Sequence, residues 1–429
     1  MAIIAQILFI ILTATALYLF SKNLLLIRRN ILIGKAGFVN DQKARRWKNV
    51  FLLALGQKKM FKKPIVAILH LILYVGFIII NIELLEIMAD GILGTHRIFE
   101  SYFEKFELAS LYNFIINSFE ILAALVFVAC IIFLVRRNML KLKRFMSNDL
   151  VGWPRSDANY ILIAEIILMG LFLTMNAADT ETHFIISSSL QPLFSGINAD
   201  TLFIIEHTAW WLHIIGIYIF MNYLPYSKHL HIILAFPNTY YAPLTPKGMM
   251  HNMPEVQNEV LYAMQPELAP TGAAAPASFG AKDVMDLSSK NLMDAYSCTE
   301  CGRCTAACPA NITGKLLSPR KIMMATRDRL EAVGKNIDLH KSFIPDNKTL
   351  LHDYITVEEL RACTTCNACV EECPISISPL DIIMELRRSL VMEESNAPQE
   401  WNSMFSNIEN NFAPWKFAPD DRDAWTKQA

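Results

Sequence analysis

Charged residues are scarce in this chain: Asp, Glu, Lys and Arg make up 18% of its 429 residues, against about 25% in soluble globular proteins. Beside 53% hydrophobic residues, that scarcity excludes a disordered chain and is at odds with an ordinary soluble enzyme. The formal net charge is −1, so there is no global basic field to recruit nucleic acid. No G-x-G-x-x-G turn, P-loop or triad-like arrangement stands out, which leaves any flavin or nucleotide chemistry to a partner. The length allows two or three domains. What is present is unevenly placed. The apolar excess lies before residue 225, most of the acidic residues lie after it, and eight of the nine cysteines fall in two short runs.

Five stretches are long and apolar enough to cross a hydrocarbon core of about 30 Å. Ala2 to Ser21 is twenty residues without a charge, and it lacks the basic start and small-residue cleavage site of a signal peptide. The others run from about Pro64 to Met88, Leu111 to Val135, Asn159 to Ala178 and Thr201 to Leu224. An all-α five-helix transmembrane bundle is therefore predicted over residues 1–235. The loops orient it. Arg28–Lys63 carries eleven Lys/Arg against one acid, Asp41, and Arg136–Ala158 carries six against two. The loop 89–110 has four acids against Arg97 and Lys105, and 179–200 has no Lys or Arg. The positive-inside rule then places the N-terminus outside and everything after the fifth span in the cytoplasm, at the cytoplasmic (inner) membrane. The basic loops serve topology and anionic lipid, not nucleic acid.

Residues 236–282, with the Pro/Ala-rich stretch Pro266–Pro276, read as a linker. From Asp283 the chain turns polar and helical, with a cysteine-free helical pattern around Pro319–Ala332. A mainly α-helical ferredoxin domain is predicted over 283–392, followed by a C-terminal tail over 393–429.

Cys298-x-x-Cys301-x-x-Cys304-x-x-x-Cys308-Pro309 is repeated as Cys363-x-x-Cys366-x-x-Cys369-x-x-x-Cys373-Pro374. Three cysteines at offsets of three wrap one face of a cubane cluster, and the fourth, set off before a proline, reaches the other cluster. The spacing therefore predicts one [4Fe–4S] cluster on Cys298, Cys301, Cys304 and Cys373, and a second on Cys363, Cys366, Cys369 and Cys308. Structural zinc prefers two separated C-x-x-C pairs, which a duplicated run of this kind is not. Disulfides are disfavoured by the cytoplasmic placement. Cys130, in the middle of the third span, reads as a small apolar packing residue.

Two clusters beside a membrane domain invite a redox cofactor in the bilayer. Ionisable residues there are functional by default, and bis-histidine haem needs two imidazoles from different helices at one depth. His70 lies six residues into the second span, and His207, His213, His229 and His231 lie on the fifth span and its extension. The stretch from Trp210-Trp-Leu-His213 through Leu224-Pro-Tyr-Ser-Lys-His-Leu-His231 resembles the fifth helix of the nitrate reductase gamma subunit and of membrane heterodisulfide reductase subunits. The resemblance implies two haem ligands eighteen residues apart on this helix, here His213 and His231. It implies two more, ten residues apart, on the second helix. His70 matches the first of these, while Ile80, with Asn81 beside it, stands where the second would be. An inner haem b held by His70 and His231 is therefore implied. An outer haem would have His213 and no matching partner, with His207, His96 or His183 as alternatives. In the purely structural reading His207 and His213 only bond neighbouring helices. His229 is expected to be an interfacial residue. Among acids at membrane depth, Glu83 and Glu86 are expected at a watery rim. Glu120 and Glu165 lie deeper, with Glu206 on the fifth span, and quinone chemistry could draw on such groups.

The soluble half carries its own resemblance. Ser278-Phe-Gly-Ala-Lys-Asp, the first cysteine run through Pro319-Arg-Lys, and the second run through Leu386-Arg-Arg-Ser-Leu-Val-Met are similar to the C subunit of heterodisulfide reductase. They also resemble larger membrane iron–sulfur oxidoreductases that bacteria pair with electron-transferring flavoprotein. Those relatives continue into cysteine-rich CCG domains. No cysteine follows Cys373 here, which implies a separate cytoplasmic CCG-domain partner subunit. Trp401, Phe405, Phe412, Trp415, Phe417 and Trp425 in the tail either cover the cluster domain or dock that partner.

The whole reading is a membrane-bound electron-transfer subunit of a quinone-linked oxidoreductase. It would relay electrons between a cytoplasmic donor and the membrane quinone through two [4Fe–4S] clusters and haem b. The resemblance to flavoprotein-linked relatives favours flow toward quinone. The alternatives are a redox-driven ion-translocating subunit and a haem-free iron–sulfur membrane anchor.

Overall fold

A computed structural model describes residues 3–179, 182, 184–246, 248–250, 252–270, 279–416, 418–421 and 423–427. Five helices are long and apolar enough to span a membrane: Ile3–Ile31, Pro64–Leu93, Ala109–Asn138, Trp153–Ala178 and Ala199–Tyr223. Each is longer than the apolar stretch that predicts it. Prolines at their first turns, where the missing N–H has no intrahelical role, start the second and fourth. The Asn198 side chain caps the fifth by accepting from Thr201 N at 2.8 Å. Consecutive helices pack on one another and the first closes against the second and fifth. Glycines bring the backbones close: a Cβ on Gly76 would strike Val126, one on Gly91 would strike Phe9, and one on Gly216 would strike Leu168. Outward-facing Ile4, Ile65, Phe114 and Ile219 are more than half exposed, a surface suited to lipid rather than water.

The rest of the chain is helical as well, and among the described residues there are only two isolated β-bridges. The protein is thus an all-α membrane bundle joined to a helical ferredoxin-type domain. Ser318 caps the helix Pro319–His340, and Thr356 with Glu359 forms a capping box ahead of Val357–Ala362. Arg329, fully buried in the middle of the long helix, bonds both Asp283 and Asp346.

This domain sits on the end of the bundle that carries the basic loops. The first span runs on into it: Asn30 donates to the Tyr296 hydroxyl at 3.0 Å and abuts Gly334 so closely that no Cβ fits there. Lys35 and Ser289 exchange backbone bonds with the facing segments at 2.8 Å. Lys59 donates to the carbonyls of Val370 and Cys373, and Arg320 pairs with Asp149 at 2.6 Å. Residues 236–240, expected in the linker, belong instead to the helix His231–Tyr240. Asn238 and Thr239 are fully buried there, and Asn238 donates to the Ile375 carbonyl at 3.0 Å. The chain therefore enters the dicluster domain without a break at 236. Farther on, Pro254–Met264 is a helix with no buried residue. Of the Pro/Ala-rich stretch, only 266–270 is described.

Candidate redox site

The two cysteine runs fold alike. In each, the residue before the second cysteine and the residue after it take left-handed backbone: Glu300 and Gly302 in the first run, Thr365 and Asn367 in the second. That pair of reversals wraps the loop, and Gly and Asn are residues that tolerate it. The short helices Arg303–Ala307 and Ala368–Glu372 follow and pack on one another. Each ends at its fourth cysteine and so delivers it across to the other loop. A small cavity of about 20 Å³ is lined by Cys308, Cys363, Cys366 and Cys369. Cys298, Cys301, Cys304 and Cys373 instead line the inner end of a larger cavity, of about 610 Å³. Backbone N–H groups of Thr365 and Ile377 point at the sulfurs of Cys363 and Cys373, at 3.4 and 3.3 Å. Burial pushes Cys298 and Cys369 up to about 12 and Cys373 up to about 11, with neighbouring thiols adding to it. Thiols in that environment become thiolates only by binding metal. Among the described residues, no three His, Cys, Asp or Glu side chains close on a single-ion point. Two sets of four thiols standing around cavities suit a cubane better than one tetrahedral ion. Cys366 is exposed, whereas Cys298 and Cys308 are buried.

Between Cys298 and Cys301 the Glu300 carboxylate is buried and accepts from Lys228 Nζ at 2.5 Å and Arg327 at 2.6 Å. Burial opposes its ionisation, but the two cations hold its pKa below the usual carboxylate value. Lys228 follows the fifth span, so this carboxylate ties the bundle to the cysteine loop.

The larger cavity continues into the bundle, where His70, His213, His229 and His231 all line it. Gln57 Oε1, the Leu168 carbonyl and the Lys228 carbonyl lie 3.0, 3.0 and 3.1 Å from Nδ1 of His70, His213 and His231 respectively. Each partner can only accept, so Nδ1 carries the proton and Nε2 keeps its lone pair, which is what a metal-binding imidazole requires. The donor set therefore fits haem iron. His229, expected at the interface, instead lies beside His231 and against Phe220, with ring centroids 5.6 and 5.5 Å away. Ile80 and Asn81 line the cavity too, and Asn81 spends its amide on the Phe77 carbonyl. His207 stacks on Phe203 at 3.9 Å with a buried, unpartnered Nδ1, and His96 pairs with Glu206 at the outer end. Neither lines the cavity. His183 lies outside the described residues. Cys130 is fully buried, as expected, and borders the cavity.

The acids depart from the rim picture. Glu83 and Glu86 are buried at 3% and 4% exposure because the outer loop folds over them. Glu83 pairs with Arg97 at 3.6 Å, and Glu86 accepts from Tyr112 at 2.9 Å and from Phe99 N at 3.0 Å. Glu120 anchors the other outer loop, accepting from Ile186 N and Ser187 N at 2.7 and 2.9 Å. Glu165 lines the cavity. In the tail, the helix Gln399–Asn411 buries no residue, and Phe412, Trp415 and Trp425 are mostly exposed; Phe417 lies outside the described residues. Gln57, Glu300 and Arg97 went unread in the sequence. The only local signal for Glu300 was its place inside a cysteine run.

These features define a helical membrane protein that bears an iron–sulfur dicluster domain. Residues 297–377 match the family model described as "4Fe-4S dicluster domain". The chain is 26% identical to the probable iron-sulfur-binding oxidoreductase FadF of Bacillus subtilis, over 98% of this chain and 61% of that protein. It is 26% identical to EtfAB:quinone oxidoreductase of Syntrophomonas wolfei, over 90% of this chain and 54% of that protein. It is 36% identical to the C subunit of the ferredoxin/F(420)H(2)-dependent CoB-CoM heterodisulfide reductase of Methanosarcina acetivorans, over 25% of this chain and 53% of that one. The chain thus spans less than two thirds of the length of these relatives. No solved structure matches. The resemblance to heterodisulfide reductase-like membrane iron–sulfur proteins holds along the chain.

Proposed function

We propose that the protein is an electron-transfer subunit of a quinone-linked oxidoreductase. One observation carries this reading: a single cavity has four cysteines at one end and four histidines along its wall, while the second cysteine set reaches the surface at Cys366. Cys298, Cys301, Cys304 and Cys373 would hold one cluster and Cys363, Cys366, Cys369 and Cys308 the other. His70 and His231 would hold haem b, with His213 available for a second. When bound, these groups supply one-electron carriers between a cytoplasmic donor and quinone. The protein's share is to fix ligands, exclude water and place charge. Gln57 and the Lys228 carbonyl set the imidazole tautomers. Arg136, Arg144 and Arg303 line the cavity with no carboxylate partner among the described residues, which favours added negative charge there.

The dicluster domain sits against the basic loops, and this supports a cytoplasmic domain with the N-terminus outside. Exposed Cys366 and the exposed aromatic tail are where a CCG-domain subunit or electron-transferring flavoprotein would deliver electrons, with flow toward quinone. The test is a reduced-minus-oxidised spectrum of the purified chain. A b-type signal lost in both His70→Ala and His231→Ala is the expected result; no b-type signal in the native protein refutes the haem assignment. Oxidation of the dithionite-reduced chain by a naphthoquinone tests the quinone link separately.

A further inference from the structure

The structure assigns the outer half of the large cavity to a quinone headgroup whose protons are exchanged with the outer face, a deduction that rests on the quinone-linked reading above. The wall of this cavity is mainly apolar, and it includes Phe77 and Ile78, which are exposed on the bundle surface, so a lipid-soluble ring has a way in. Its outer half carries Tyr74, Asn81, Glu83 and Glu165. The Tyr74 hydroxyl and Glu83 Oε2 are buried without a hydrogen-bond partner, and Glu165 makes no hydrogen bond or ion pair among the described residues. Unmet polar groups at such depth are costly and are retained where a ligand meets them. A flat apolar ring with a carbonyl oxygen at each end is the chemistry that matches a hydroxyl and carboxyl groups set in an apolar wall.

The same cavity is electrostatically lopsided. Its inner end is lined by Arg136, Arg137, Arg144, Arg303 and Lys228, whereas its acids lie farther out. Fixed cations oppose proton entry from the inner side. Glu83 faces the other way as well: it pairs with Arg97, which contacts Asp179 at 3.5 Å and Asn176 at 3.2 Å and whose backbone N–H donates to Asp90 at 2.9 Å. Next to Arg97, His96 pairs with Glu206 at 3.4 Å and is half exposed. Glu86 and Glu120 are the other charges acting on Glu83. A run of polar groups therefore joins the cavity to outer water.

Reduction of the quinone takes two electrons, supplied by the iron–sulfur carriers, and two protons. Each C=O becomes C–OH, with its proton passed from Glu165 or Glu83, and each carboxylate is then reprotonated from outside. The test uses the full chain in phosphatidylcholine vesicles with the dicluster domain facing the bath. The vesicles contain 2,3-dimethyl-1,4-naphthoquinone and a trapped pH dye, and titanium(III) citrate is added outside. The expected result is quinone reduction with alkalinisation of the lumen. Glu165→Gln should slow it about a hundredfold, the scale of a lost proton donor. Glu165→Asp should recover part of the rate, and Glu83→Gln should abolish the alkalinisation. Unchanged iron–sulfur absorbance in each variant establishes that it has folded. Quinone reduction with proton uptake from the bath overturns the outer route, as do unaltered rates and lumen pH in the Gln variants, and either leaves the quinone-linked reading intact. No quinone reduction by the native protein overturns both.

Discussion

Replacing Glu300 by glutamine removes one buried negative charge beside the Cys298 cluster site and keeps the side chain's shape. The carboxylate is held ionised by Lys228 and Arg327, so the lost charge is a full one at neutral pH. With the charge about 8 Å from the cluster and an effective dielectric of about 20, Coulomb's law gives roughly 2 kcal/mol. A tenfold change in a one-electron equilibrium is about 59 mV or 1.4 kcal/mol, so the shift is on the order of 90 mV. Its sign is upward, because the reduced cluster carries one more negative charge and no longer faces the carboxylate. The assay is an electron paramagnetic resonance redox titration of the full chain, with the Cys363 cluster as internal reference. Lys228→Met should shift the same midpoint downward, a reversal that general distortion of the loop would not produce. An unchanged or lower midpoint in Glu300→Gln, or equal shifts of both clusters, refutes the reasoning.

Four further outcomes are expected. Cys373→Ser should remove the spectroscopic signal of the Cys298 cluster, and Cys308→Ser that of the Cys363 cluster; loss confined to each cysteine's own run would show that the fourth ligands do not cross. Gln57→Leu should weaken haem retention less than His70→Ala, as measured by haem per chain, because it removes only the bond that orients the imidazole. Hydrogen bonding to Arg329 holds the Asp346 carboxyl below its ordinary value, so its contribution is present above about pH 4 and is lost as pH falls through the folded value. The thermal stability gap between the native chain and Asp346→Asn, on the order of 1 kcal/mol, should therefore stay constant from pH 8 to 5 and close below about 4. Glu120→Gln should raise hydrogen exchange at Ile186 and Ser187 and leave cluster reduction unaffected, since that carboxylate anchors the outer loop.

Five apolar stretches, two spaced cysteine runs and the sign of each loop are enough to read a five-helix bundle and a dicluster domain from the sequence alone. Those features are local: a helix long enough for a bilayer is set by twenty neighbouring residues, and a cysteine loop by ten. The sequence misplaces what depends on distant partners. Glu83 and Glu86 sit near a helix end, where water is expected, but the loop holding Arg97 and Phe99 covers them. His229 reads as interfacial, yet Phe77 of the second span and Phe220 of the fifth enclose it. The linker begins later than composition suggests, because the fit of Asn238 against Ile375 spans 137 positions of chain. The tertiary structure alone decided that four cysteines and four histidines share one cavity, and that its cations lie at one end and its acids farther out. Burial of a polar group is a property of whatever folds over it, and nothing within a few residues of Gln57, Glu83 or Glu300 records that.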